Sequence, residues 1–347
     1  GVDWEYYRKV YEKYLPYINN NFDFAEMLSE MLGELNASHT GCRYYASGAT
    51  LSTAALGVFL DPSYEGDGLK IKEIIKRGPF AVKKNEVTPG SIIEKIDGTD
   101  IKAGEDYNAL LDGKAGKNIR LTIKNAKGKR FDLTIKAISQ GAQQELLYKR
   151  WVDRNRAIVD SVSHGRIAYV HVKAMNSESF RTVYSELLSE KNRTKDAVIV
   201  DERHNGGGWL HDDLCTLLSG KQYQEFVPHG KVVGKDPFNK WTKPSCVLIC
   251  EDDYSNGHGF PWVYKELGIG KLIGAPVAGT MTAVWWETLM DRSLVFGIPQ
   301  VGCRDMRGTF GENTTLQPDI EVYNSPEDYI TGHDTQLIRA VEEMMKK

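Results

Sequence analysis

Long apolar runs are missing from this chain of 347 residues. Its most apolar stretches, such as Cys246-Val-Leu-Ile-Cys250, fall far short of the roughly 20 residues that a membrane-spanning helix needs, so no membrane span is expected. A basic excess is missing too: 44 Lys and Arg stand against 47 Asp and Glu, a formal net charge of -3. A protein that binds a phosphate backbone needs the opposite balance, which excludes nucleic acid as an expected partner. Cysteine is scarce. The five thiols (Cys42, Cys215, Cys246, Cys250 and Cys303) are odd in number and scattered, which excludes a disulfide framework and makes reduced thiols the expectation. Cys246 and Cys250 share one apolar run with no second Cys or His pair beside them, and read as core thiols. No His/Cys/Asp/Glu cluster has metal-ligand spacing along the chain and no dinucleotide fingerprint follows a strand, so neither metal nor cofactor is expected. An initiator Met is absent as well, the chain beginning Gly1-Val-Asp-Trp4. The native N-terminus is therefore expected to lie outside it, and cytoplasm and bacterial periplasm both stay open. What is present, 41% hydrophobic and 26% charged residues, is ordinary globular usage on a length for two or three domains.

The first forty residues read as a helical hairpin, with Tyr6, Val10 and Tyr14 and then Phe24, Met27, Leu28, Met31 and Leu32 at three-to-four spacing. Asn19 to Asn21 break it, and Asp23 is the expected cap of the second helix. From Leu56 to about Ile138 short β-rich runs alternate with turn signals, strictly so in Ile119–Ile123 and Phe131–Ile135, with a helix expected near Tyr107–Leu111. This module resembles a PDZ domain: Leu56-Gly57-Val58-Phe59 stands where a carboxylate-binding loop belongs, and Val87 to Gly98 looks like the central strand pair. An exposed strand edge beside free N–H groups can add a peptide strand, so a C-terminal peptide is a possible ligand; a structural β-module without one is the other reading. Gln140 to about Val162 reads as a helical connector. Beyond it, a strand (Gly165–Val172) and two buried strands (Ala197–Asp201, Cys246–Cys250) alternate with helices (Glu178–Leu188, Asp212–Leu218, Gly257–Leu267), short strands are expected near Lys271–Gly274 and Ser293–Phe296, and Thr335–Lys347 closes as a helix. That alternation predicts a mainly parallel sheet with crossovers.

Two loops stand at the C-terminal ends of buried strands, where open α/β sheets bind ligands. In Asp201-Glu-Arg-His-Asn-Gly-Gly-Gly208 three glycines let backbone N–H groups approach a ligand, which suits an oxyanion site and a tight turn equally. In Glu251-Asp-Asp-Tyr-Ser-Asn-Gly257 a serine sits at a strand-to-helix turn, as in a nucleophile elbow, although the flanks lack the Gly-x-Ser-x-Gly form and a structural serine reads as well.

Five ordered blocks decide between these readings. Glu34-Leu-Asn-Ala-Ser-His-Thr-Gly41, Val200–Gly208, Tyr254-Ser-Asn-Gly257, Leu272-Ile-Gly274 with Ala278-Gly-Thr280, and Gly311–Val322 together resemble the catalytic half of the tricorn protease family, serine endopeptidases related to the carboxyl-terminal processing proteases. The resemblance implies an α/β multidomain fold: a helical segment (1–50) carrying the base and packing on a crotonase-like α/β peptidase core (140–347), with a β-rich PDZ-like domain (51–139) inserted. It implies Ser255 as nucleophile, His39 as general base, and Ser38 and Glu312 as its supporting groups, because a hydroxyl needs a base and the base needs an orienting partner. Gly207 and the N–H of Asn256 are the expected oxyanion donors. Gly206, Gly208 and His204 would shape the substrate cleft, and His258 would be a wall or core residue. The family has an acidic residue where Asn256 stands, and a β-propeller half ahead of the matched region whose roles are not carried over. Peptides or unfolded proteins are the implied substrates, no cofactor is required, and relatives' rings imply a homo-oligomer. The alternatives are a catalytically silent PDZ-type scaffold that binds peptides and, more remotely, a crotonase-like enzyme that holds a thioester carbonyl in the glycine loop without using Ser255.

Overall fold

The computed structural model describes residues 1–48, 52–81 and 86–346 and divides into two compact units, residues 1–47 with 155–347, and residues 48–154. The boundary expected between residues 50 and 51 lies outside the described residues, as does Lys347 at the end of the expected closing helix.

The chain opens with helices α1 (Trp4–Glu12) and α2 (Asn21–Gly33). Asn20, in extended backbone, caps α2 by accepting the Asp23 N–H at 2.9 Å. The expectation that Asp23 is the cap is thus corrected: Asp23 sits inside the first turn, where its charge complements the helix N-terminus. After α2 the chain turns through Asn36 and His39, both at positive φ, into β1 (Gly41–Tyr44). The Ser29 hydroxyl ties α2 to β1, bonding both the N–H and the C=O of Cys42 at 2.8 Å.

In the second unit β2 (Val58–Leu60), β3 (Leu69–Ile74), β4 (Ile92–Ile96), β5 (Thr99–Asp100), β6 (Asn118–Lys124) and β7 (Arg130–Lys136) form an antiparallel sheet in the order β2-β3-β4-β6-β7, with β5 on β4. Strict alternation in β6 and β7 sends Ile119, Leu121, Ile123, Leu133 and Ile135 into one core. The expected helix near Tyr107 is a single 3₁₀ turn, Tyr107–Leu110, capped by Asp106. Of the proposed carboxylate loop, Leu56 and Val58 are buried and only Phe59 stays partly open. The Gly57 N–H is engaged by the Gln143 side chain at 3.0 Å, from the helix α3 (Gln140–Val162). The division between the units falls inside α3, after Arg154.

The first unit resumes with β8 (Ile167–His171), α4 (Ser177–Leu187), α5 (Glu190–Arg193), β9 (Ala197–Asp201), α6 (His211–Leu218), a hairpin of β10 (Gln224–Phe226) and β11 (Gly234–Asp236), β12 (Ser245–Ile249), α7 (Asn256–Glu266) and β13 (Lys271–Gly274). It ends with β14 (Thr282–Thr288), β15 (Leu294–Gly302), β16 (Ile320–Glu321), α8 (Pro326–Thr331) and α9 (Thr335–Met345). The central sheet runs β16-β13-β12-β9-β8, every pair parallel. Strands β8, β9 and β12 are buried throughout, which is why their sequences read as unbroken apolar runs. Val198, Val200, Val247 and Ile249 face a cluster shared with α4, α6 and α7, which leaves Ile199 and Leu248 for the face crossed by α9. A second sheet, β1-β15-β14, is antiparallel. Only part of it was expected, near Ser293–Phe296; Gly297 and Pro299 interrupt the strand pattern of β15, and a register shift at Ala283/Val284 interrupts that of β14.

A buried ion pair fastens α9 to the end of β9. Arg203 donates to both Asp201 oxygens at 2.9 and 2.7 Å and to both Asp334 oxygens at 2.9 Å, while Asp334 caps α9. Burial pushes the Asp201 carboxyl up, but the Arg203 guanidinium more than offsets this and holds it below the ordinary carboxylate value. Arg203→Met removes the partner and strands that charge, and is expected to lower stability by about 3–5 kcal/mol, read from denaturant unfolding midpoints. A loss under about 1 kcal/mol would show that the pair is dispensable.

Candidate active site

The loops after β9 and β12 are locked together through two buried side chains. Asn205 donates its backbone N–H to Asp253 at 3.1 Å and its side-chain amide to the Val172 carbonyl at 2.8 Å, and its own carbonyl accepts the Tyr254 N–H at 2.9 Å. The second Asp253 oxygen accepts the Cys250 N–H at 2.8 Å. Burial drives the Asp253 carboxyl well above its ordinary range against these donors.

Ser255 emerges from this lock at φ 57°, ψ −119°, backbone that a non-glycine residue adopts only when its surroundings force it. Its N–H is held by the Thr280 hydroxyl at 2.8 Å, and α7 begins at the next residue. That is the elbow geometry in which a side chain stands clear of both neighbouring turns. Asn256 is not an idle substitute for an acidic residue: its side-chain oxygen accepts the N–H groups of Leu210 at 2.7 Å and His211 at 3.1 Å, capping the start of α6. Gly207 (φ 95°) must lack a side chain, because a Cβ there would lie 2.6 Å from the Ser255 Cβ and 3.0 Å from the Asn256 nitrogen. The N–H of Gly207, expected to be an oxyanion donor, is instead given to the Asn205 side chain at 2.8 Å. Gly207 C=O and Trp209 N–H both bond Met175, at 2.9 and 2.7 Å, which turns the Gly208 amide between them the other way.

The histidine end is built by the second sheet. Ser38 and His39 precede β1, Thr282 opens β14, and Glu312 lies in the loop beyond β15. Ser38 donates its hydroxyl to Glu312 at 2.9 Å, and its backbone N–H bonds the other oxygen of that carboxylate. With that hydroxyl proton committed, the Ser38 oxygen, 2.8 Å from His39 Nδ1, acts as an acceptor, and the Thr282 hydroxyl stands 3.0 Å from the same nitrogen. The network therefore assigns the proton to Nδ1 and leaves Nε2 bare. Burial lowers the His39 pKa below 6.5, only partly opposed by the Glu312 charge, so the ring is neutral at neutral pH. The His39 N–H donates to the Tyr254 hydroxyl at 2.7 Å and the two rings stand 4.9 Å apart, which fixes the imidazole against the residue before Ser255.

His39, Ser255, Asn256, Gly206 and Gly208 line one groove of about 460 Å³. A second cavity of about 390 Å³ adjoins it, sharing Trp209, Met281 and Cys303, with Trp262, Phe310 and Leu316 among its walls. His258 is a wall of that cavity, buried, with neither ring nitrogen hydrogen-bonded; burial pushes its pKa down to about 4, the Thr314 backbone opposing. His204 pairs with Asp252 at 3.0 Å and does not line the groove. Sequence reading missed Asn205, Asp253, Tyr254, Thr280 and Thr282 as positioning groups; Ala278-Gly-Thr280, already part of an ordered block, was the one signal for this stretch. Gly207→Ala is expected to displace the Ser255 loop and lower the reactivity of Ser255 towards a fluorophosphonate by about 100-fold with an unchanged far-UV spectrum. Unchanged reactivity would mean that the two loops do not press on each other.

Three family descriptions match in chain order: Tricorn protease C1 domain over residues 1–33, Tricorn protease PDZ domain over 64–140, and Peptidase family S41 over 166–322. A relative from Sulfurisphaera tokodaii, named for a Tricorn-like protease C-terminal subunit, is 30% identical across 99% of this chain and 41% of its own length. The Tricorn protease of Thermoplasma acidophilum is 26% identical across 98% of this chain and 32% of its own length, so the chain spans well under half of these relatives. A crystal structure of the tricorn protease superposes with a TM-score of 0.84 at 24% identity, over 99% of this chain and 34% of that one, a likeness of fold. With an N-terminal segment, a PDZ module and an α/β core matched in that order, the chain is tricorn-like along its length, and its core is similar to peptidase family S41.

Proposed function

We propose that this chain is the catalytic part of a serine endopeptidase that cleaves peptides or unfolded polypeptides through an acyl-enzyme. The observation that carries the reading is a neutral histidine whose Nδ1 side is tied to Ser38, Thr282 and Glu312 while its ring shares a groove with Ser255 on a strained turn. Ser255 Oγ attacks the peptide carbonyl as His39 Nε2 takes its proton; the leaving amine then receives that proton, and water activated by His39 releases the acyl group. Glu312, through Ser38, steadies the imidazolium that forms. The developing oxyanion is held by the N–H of Asn256 and, since the Gly207 amide is engaged, by that of Gly208. The bonded network around His39 weighs against the silent scaffold, which would have no use for it. Substrate side chains beside the cut bond enter the 390 Å³ cavity, whose Trp262, Phe310 and Leu316 favour large apolar groups. The exposed hairpin residues Tyr223, Phe226, Val233 and Phe238 support self-association into a homo-oligomer.

Fluorophosphonate labelling read by intact mass tests the nucleophile. One label per chain is expected, absent in Ser255→Ala, whose turnover should fall by roughly 10⁶-fold. Absence of labelling in the assembled wild type would overturn the mechanism and favour the scaffold. The pH profile tests the base: kcat/KM should fall on the acid side with an apparent pKa below 6.5, since protonation removes the base. In Glu312→Gln that limb should move lower still, because the charge that raises the His39 pKa is gone. A limb that stays in place would remove Glu312 from the network. Peptide-library cleavage read by mass spectrometry should favour large apolar residues at the scissile bond; cleavage beside acidic residues would exclude the cavity as the specificity pocket.

A further inference from the structure

The two loops that form the groove also meet at a second point, on the side of His204. There the His204 imidazole, the Cys250 thiol and the Asp252 carboxylate converge, with donor atoms all within 4.8 Å of one another. Nδ1 of His204 lies 3.0 and 3.1 Å from the two Asp252 oxygens and 3.8 Å from Cys250 Sγ, which is itself 2.8 Å from Asp252 Oδ1. A tetrahedral ion with ordinary zinc bond lengths holds such donors about 3.3–3.6 Å apart, so the two His204 distances need change by only a few tenths of an ångström, while the Cys250–Asp252 pair must open by about 0.7 Å. The backbone contributes as well. The N–H of His204 donates to Cys250 Sγ at 3.1 Å; the thiol itself donates to Asp252, and burial with the Asp253 charge keeps it protonated until an ion displaces the proton. Cys250 is buried while His204 and Asp252 are exposed, so the cluster has an anchored sulfur floor and an open side for an incoming ion and its remaining water.

We propose that His204, Cys250 and Asp252 form a binding site for one borderline-soft divalent cation of the zinc class. One soft thiolate with an imidazole and a carboxylate is a donor set for zinc or cobalt(II) rather than for calcium or magnesium, which take oxygen. Binding transfers the Cys250 thiol proton to solvent as the metal–sulfur bond forms, and the ion takes water as its fourth ligand. The ion bridges the two groove loops, since His204 directly precedes the Asn205 lock and Asp252 lies three residues before Ser255. It is distinct from the hydrolytic machinery, and its existence does not depend on that machinery being active.

Titration of the full chain with cobalt(II) chloride alone tests it. One equivalent is expected, with a thiolate-to-cobalt charge-transfer band in the near-UV and tetrahedral ligand-field bands in the visible, all displaced by zinc. Cys250→Ser should abolish the charge-transfer band although Cys42, Cys215, Cys246 and Cys303 remain. His204→Ala and Asp252→Asn, both at exposed positions and checked for folding by circular dichroism, should each weaken binding by about tenfold or more. Absence of a charge-transfer band in the wild type, or a band that survives in all three variants, would overturn the site. Because the readout is spectroscopic, an inactive peptidase would leave this result intact, and an empty site would leave the peptidase reading intact.

Discussion

The interlock of Asn205 with Asp253 is the constraint on which the site depends. Two parallel strands end side by side, and their loops would otherwise carry several buried N–H groups with no partner. Asn205 accepts two such groups, those of Gly207 and Tyr254, donates its side-chain amide to the Val172 carbonyl, and presents its own N–H to the buried Asp253 carboxyl. Because two of these bonds, Asn205 N–H to Asp253 and Tyr254 N–H to the Asn205 carbonyl, cross from one loop to the other, neither loop can relax alone. The unfavourable backbone of Ser255 persists because its surroundings over-determine it.

Glycine 207 belongs to the same constraint. The two loops approach so closely that a single methyl group would collide with the serine, and the backbone there is already left-handed. Close approach is what the missing side chain allows. The third glycine is turned by the Met175 bridge, so its N–H faces away from Met175. Rigidity at this turn comes from bonds made elsewhere on the same short segment.

The His39 network joins opposite ends of the chain. Ser38 and Glu312 are 274 residues apart, yet two hydrogen bonds join them, and the antiparallel pairing of β1 with β15 brings them together. The Ala25, Cys42 and Leu294 cluster anchors that pairing under α2. Placed there, the carboxylate never touches the imidazole directly. Its charge acts through a serine hydroxyl, which leaves burial to dominate and keeps the ring neutral.

Much of this was legible in the linear sequence, for identifiable reasons. Ala197–Asp201 reads as a buried strand because both faces of β9 are covered, so the apolar run has no gaps, and Gln140–Val162 reads as a helix because no breaker interrupts it. Ser255 could be placed at a strand-to-helix turn from local pattern alone, and the ordered blocks pointed to its partners. Local pattern could not show that the Gly207 amide is engaged, because Asn205 competes for it only once the loops have closed. It could not show Thr282 beside His39, since β14 and β15 have irregular registers that spoil a period of two. Nor could it bring His204 to Cys250, 46 positions away, because side chains meet there only after two parallel strands align. Sequence by itself determined the regularly patterned elements and the kinds of chemical group, which follow from periodicity and composition. Tertiary structure alone decided which donor is free, which proton sits where and which distant groups touch, because hydrogen bonds are directional and are assigned only when every competitor is in place.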